Sequence, residues 1–136
     1  MIIVDTSVLA FLFFKDKRLT PAVKRALRAN PHLLVPPLWR SEFRSVLLKY
    51  LRGRKIDQAT ASDLFEQARR RFEPFEAEPQ TARVLRLAKD FRLSSYDAEF
   101  AALGDEHRAL LLTNDGRSLA DKLPAERVLR LSSFTY

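Results

Sequence analysis

A chain of 136 residues fits one domain, 1–136, and its 46% apolar content suffices for a buried core, which excludes disorder as the default reading. The absence of cysteine excludes a disulfide scaffold, a thiolate zinc site and a cysteine nucleophile, and fits the reducing cytoplasm. The net charge of +7, with 17 arginines among 24 basic residues, favours a polyanionic partner.

The apolar stretch from Ile2 to Phe14 is broken by Asp5 and lacks a preceding positive charge, so it reads neither as a signal peptide nor as a membrane span. Ile2-Ile3-Val4 is instead a buried strand, followed by a helix from Ser7 to Phe14. Thr20-Pro21 opens a helix to about Ala29. Leu33-Leu34-Val35 is a second strand, stopped by Pro36-Pro37.

Trp39, Phe43, Val46, Leu47, Tyr50 and Leu51 form one apolar stripe of a third helix, closed by Gly53. Asp57 caps the next helix, which turns Ala61, Leu64, Phe65, Ala68 and Phe72 inward. A short strand is expected at Phe75 to Ala77. Pro79 opens a helix through Phe91, with Val84, Leu85, Leu87 and Ala88 on its core side. Ser94 begins another, through about Gly104. Ala109 to Leu112 is a buried strand ending at Thr113-Asn114-Asp115-Gly116; a short helix and a strand from Val128 to Leu131 complete the chain. Strands alternating with helices predict an α/β fold with a mostly parallel sheet covered on both faces.

Four acids sit at element boundaries. Asp5 follows a buried strand and Asp115 ends another, and ligands in parallel sheets bind at carboxyl ends of strands. Asp97 lies in the first turn after Ser94, where it reads as part of a capping box; Tyr96 and Phe100 beside it predict a packed helix end. Glu42 lies one turn into its helix. Each has a plain structural explanation: a cap, a turn residue or a solvated helical acid. Together they form a set of oxygen donors suited to Mg²⁺ or Mn²⁺, and without them the remaining charge is +11, from 24 bases and 13 acids.

Ile2-Ile3-Val4-Asp5-Thr6-Ser7-Val8-Leu9, Pro37-Leu38-Trp39-Arg40-Ser41-Glu42, Ser94-Ser95-Tyr96-Asp97-Ala98-Glu99-Phe100 and Leu111-Leu112-Thr113-Asn114-Asp115-Gly116-Arg117-Ser118-Leu119 resemble, in order and spacing, the PIN-domain proteins, and among them the VapC toxins of bacterial toxin–antitoxin pairs. The resemblance implies a three-layer α/β/α fold and a Mg²⁺- or Mn²⁺-dependent endoribonuclease that hydrolyses RNA with a metal-activated water. It also implies a homodimer inhibited by a small cognate antitoxin. Carried over, Asp5 and Asp97 are the principal metal ligands, Glu42 and Asp115 complete the pocket directly or through waters, and Thr6 and Thr113 orient ligands or the attacking water. Two other readings remain: a PIN-domain nuclease of RNA processing or repair without an antitoxin, and a non-catalytic RNA-binding module.

Arg69-Arg70-Arg71 and Arg52-Gly53-Arg54-Lys55 are the densest basic clusters, while Arg117, two residues after Asp115, is expected to meet a substrate phosphate. His32 and His107 are too isolated in sequence for a histidine-pair mechanism.

Overall fold

The computed structural model describes residues 1–136. Four short strands, β1 (Ile2–Val4), β2 (Leu33–Leu34), β3 (Leu110–Thr113) and β4 (Val128–Arg130), form one sheet in the order β2-β1-β3-β4, and every pairing is parallel. Parallel neighbours require crossover segments, and seven α-helices supply them. These are α1 (Thr6–Leu9), α2 (Leu19–Ala29), α3 (Trp39–Arg52), α4 (Gln58–Phe72), α5 (Thr81–Phe91), α6 (Ser95–His107) and α7 (Ser118–Lys122).

The strand pleat divides the core in two. Ile2, Val4 and Leu112 face one layer with Val8, Val23, Trp39, Phe43 and Phe72, whereas Ile3 and Leu111 face the other with Leu87, Phe100, Leu103 and Leu119. A sheet buried on both faces explains why β1 and β3 read as continuous apolar runs rather than alternating ones. The result is the expected three-layer α/β/α fold.

Several local expectations needed the tertiary contacts to correct them. The helix expected from Ser7 to Phe14 ends at Leu9 and tightens into a 3₁₀ turn over Ala10–Leu12. Thr20 does not cap α2: its hydroxyl donates to the Phe11 carbonyl, and the Asp16 carboxylate accepts from the Arg18 and Leu19 amides instead. The strand expected at Phe75 to Ala77 shrinks to one parallel bridge between Val35 and Glu76 after a 3₁₀ turn. Leu85, expected on the core side of α5, is 62% exposed, whereas Val84, Leu87 and Ala88 reach the second core as expected. Helix α6 continues past Gly104 to His107; a Cβ at Gly104 would lie 2.9 Å from the Ala109 carbonyl oxygen, so this return toward β3 requires glycine.

Asp105 ties the second layer together. Its carboxylate, 15% exposed, accepts from Arg83 and Arg86 of α5 and from Arg127 ahead of β4. Burial pushes its pKa up, but the bonds from Arg127 and Arg83 outweigh it and hold the carboxyl below its ordinary value. A depressed folded-state pKa contributes stability above the unfolded value of about 3.9 that is lost as pH falls through the folded value. The variant Asp105→Asn is therefore expected to be about 1–2 kcal/mol less stable than the parent at pH 7, a range kept low because the arginines are partly exposed. Melting followed by circular dichroism should show this gap narrowing below about pH 4; a gap independent of pH would rule out the ion cluster as its source.

Candidate active site

All four acids emerge at the carboxyl edge of the sheet. Asp5 follows β1 and Asp115 lies two residues beyond β3. Helices α3 and α6 run antiparallel to the strands they adjoin, so Glu42 and Asp97, each in a first turn, start from the same edge.

Asp5 is 1% exposed, and its side chain makes no capping bond to α1. Its Oδ2 instead accepts from Ser7 Oγ at 2.9 Å and from Thr113 Oγ1 at 2.8 Å, leaving Oδ1 without a hydrogen bond. Arg117 Nε stands 3.3 Å from the same Oδ2, close enough for charge pairing but without the alignment of a hydrogen bond. Arg117 Nη2 donates to Asp97 Oδ1 at 2.6 Å. One guanidinium thus joins two of the expected ligands.

The cap of α6 is Ser94, whose Oγ accepts from the Asp97 amide at 3.0 Å, so the Asp97 carboxylate is free for Arg117. Glu42 Oε1 accepts from Thr6 Oγ1 at 2.7 Å. Burial pushes the Glu42 carboxyl above its ordinary pKa; the Thr6 bond opposes this, and the negative charge of Asp5 adds to it. For Arg117, burial works against the charge, but the fields of Asp5, Asp97 and Glu42 outweigh it and raise the pKa. Asp5, Thr6, Ser7, Glu42, Ser45, Val46 and Arg117 line one cleft.

Asp115 takes a different direction. Its Oδ2 accepts from the Ser132 amide at 3.2 Å, and its Oδ1 is buried without a partner. The four acids therefore divide into a group of three around Arg117 and one that faces the C-terminal 3₁₀ turn, Leu131–Phe134. Tyr96, expected in a packed helix end, is 62% exposed; Phe100, four residues on, is the one that packs. Sequence reasoning passed over Ser7, whose signal was its place two residues after Asp5, and did not anticipate Arg117 as a counter-ion to Asp5 and Asp97. His32 and His107 take no part, and a separate hollow at the opposite end of β3, bordered by Asp105, Arg108 and Leu110, gathers no such set of acids.

As placed, no three His, Cys, Asp or Glu side chains stand close enough to grip an ion. The donor chemistry nevertheless fits a hard divalent cation, because Asp5, Glu42 and Asp97 offer only oxygens and already share a positive charge. Clustered carboxylates need such a charge to remain ionised, and here the Arg117 guanidinium occupies that role. The orphaned Oδ1 of Asp115 is a further unmet acceptor at the same sheet edge.

No helix is long and apolar enough to cross a membrane. No curated protein matches the chain at a significant level. Among solved structures, PAE2754 from Pyrobaculum aerophilum is similar in fold, with 24% identity, a TM-score of 0.71, and coverage of 96% of this chain and 90% of that one. A toxin–antitoxin complex from Klebsiella pneumoniae contains a chain with 19% identity and a TM-score of 0.65, covering 95% of this chain and 100% of that one. The PIN domain family matches residues 2–123, taking in all four acids and every strand but β4, and the chain belongs to that family, whose members are generally nucleases.

Proposed function

We propose that this protein is a Mg²⁺- or Mn²⁺-dependent endoribonuclease and the toxin of a type II toxin–antitoxin pair of the VapC kind. In this reading it forms one domain, acts in the cytoplasm as a homodimer and is held in check by a small antitoxin. The observation that carries the nuclease reading is the state of Asp5. A carboxylate 1% exposed forgoes its helix and is oriented by two hydroxyls and an arginine beside Asp97 and Glu42. A capping or solvated acid needs none of this. The toxin reading rests on the ordered motifs and on a fold shared with a chain of a toxin–antitoxin complex.

Asp5 and Asp97 would hold the cation, with Glu42 and Asp115 completing the pocket directly or through waters. When bound, the ion supplies positive charge to the phosphodiester and acidifies water. The protein's own groups set the geometry. Thr113 and Ser7 fix one oxygen of Asp5 and leave the other toward the cleft, and Thr6 fixes Glu42. With a cation held by these acids, Arg117 would be released to present its guanidinium fork to substrate phosphate oxygens.

The test is cleavage of RNA by the purified protein with Mn²⁺ or Mg²⁺, against EDTA. Cleavage is expected only with metal, and its persistence in EDTA would refute the mechanism. A second readout needs no activity. In Arg117→Ala the acids lose their counter-ion, so this variant should melt lower than the parent and gain more from Mg²⁺, its own gain being about 2.7 kcal/mol at a hundredfold excess over its Kd. Equal gains in both proteins would argue against a shared position for the arginine and the ion.

A further inference from the structure

The chain has more basic groups than the acids can neutralise, and the structure shows where the unpaired ones collect. Of the expected cluster Arg69-Arg70-Arg71, Arg69 is bridged to Glu66 and Glu73, and Arg70 and Arg71, at the C-terminal end of α4, form no ion pair. Arg83, Arg86 and Arg127 share Asp105, Arg130 meets Asp121, and Arg40 meets Glu76 and Glu73. The other expected cluster, Arg52 to Lys55, is unpaired but lies at the far end of α3, ten or more residues beyond Glu42. At about 1.5 Å per residue, that places it roughly 15 Å along the helix axis from the acids.

A different set is unpaired and begins at the acidic edge. Lys15, Lys17, Arg18, Lys24, Arg25 and Arg28 form no ion pair, although Asp16 lies among them. The Asp16 carboxylate is occupied by the Leu19 and Arg18 amides, which lower its pKa ahead of the weaker attraction of Arg18 itself. Helix α2 joins parallel β1 and β2, so its first turn, with Lys17 and Arg18 just before it, lies toward the carboxyl edge of the sheet. The link to the site is continuous. Asp115 accepts from Ser132 at the start of the C-terminal turn, and Arg25 donates to the Phe134 carbonyl at its end. Beyond that turn, Lys17, Arg18, Pro21, Arg25, Thr135 and Tyr136 line an open cleft. Tyr136 is 85% exposed, with the Arg25 guanidinium 4.8 Å from its ring centroid.

We infer that this cleft binds the backbone of single-stranded RNA flanking the cleaved bond, on the Asp115 side of the acidic pocket. The inference rests on the nuclease reading above and extends it to the path of the substrate. Lys17 and Arg18 meet phosphates, while Arg25, held by the Phe134 carbonyl, adds a fixed positive charge. A groove of cations with an accessible aromatic ring is the arrangement that follows a single strand without reading its sequence.

The experiment compares Lys17→Gln/Arg18→Gln with Lys49→Gln/Arg52→Gln, a pair that removes the same charge at the far end of α3. Binding of a non-cleavable 2′-O-methyl RNA is measured by fluorescence anisotropy across a salt series, and cleavage by kcat and KM. The first pair is expected to raise Kd and KM about tenfold and to lower the salt slope by about 1.4, two contacts at about 0.7 each on a single strand. The second pair should bind as the parent does. Equal weakening by both pairs, or by neither, overturns the inference. If the parent cleaves RNA but the first pair binds it normally, only the cleft is refuted. If the parent binds RNA through Lys17 and Arg18 without cleaving it, the cleft stands and the nuclease reading falls. If the parent neither binds nor cleaves RNA, both fall.

Discussion

Replacing Asp5 by asparagine should lower RNA cleavage by at least about 10²–10³-fold while leaving the protein folded. The lower bound is the usual cost of losing one group that organises charge at a reacting phosphate or carbonyl. The side chain keeps its shape, so Ser7 and Thr113 retain an acceptor, and only the negative charge is removed. That charge is what holds Arg117 beside Asp5 and what a divalent cation needs from a site of oxygen donors. Stability should shift by no more than about 1 kcal/mol, because losing the ion pair is offset by relief of repulsion from Glu42 and Asp97. Activity assayed beside a circular dichroism melt separates the two effects. Unchanged cleavage in a folded Asp5→Asn protein would remove the acidic pocket from the mechanism.

The largest expected loss of stability comes from Trp39→Ala. Trp39 is fully buried at the start of α3, its ring centroid 6.1 Å from Phe43, 6.1 Å from Phe65 and 5.9 Å from Phe72. Its indole Nε1 donates to Glu76 Oε1 at 2.9 Å, and Glu76 is also paired with Arg40. Truncation removes a large apolar volume and leaves a cavity among rings that cannot close over it, at a cost of about 3–5 kcal/mol. Against a typical total of about 5–15 kcal/mol, this is a large fraction, and a fall in Tm of about 10 °C or more follows. Trp39→Phe keeps most of the packing and loses chiefly the bond to Glu76, so it should cost about 1 kcal/mol beyond the smaller ring. A Tm change under about 3 °C for Trp39→Ala would show that the aromatic cluster is not what anchors α3. Because α3 carries Glu42 one turn on, the same variant is expected to reduce activity through misplacement of that carboxylate.

Much of this molecule is legible along the chain. The runs Ile2-Ile3-Val4 and Leu111-Leu112 are continuously apolar because each strand is covered on both faces there, so sequence alone determines a buried parallel sheet, although Leu110 at the start of β3 is 37% exposed. Periodicity likewise gives the core side of α3 and α4, and the placement of Asp5, Glu42, Asp97 and Asp115 at element boundaries puts them at one sheet edge. Sequence could not determine what those carboxylates touch. Asp5 before a helix and Asp115 in a turn carry the same local signals whether they cap, solvate or bind, since those signals report only backbone preferences.

Tertiary structure alone decided that Asp5 is held by Thr113, 108 residues away, and that the Asp97 carboxylate meets Arg117. It also decided that Arg117 serves as counter-ion to two acids, and that Asp115 faces Ser132 rather than the other three. The same holds for basic residues. Within the densest run, Arg69 is neutralised by acids one helical turn away, whereas the dispersed bases around α2 remain unpaired. Charge along a sequence can be counted, but whether it is free to act depends on which side chains the fold brings within a few ångströms, and distance sets the strength of that pairing.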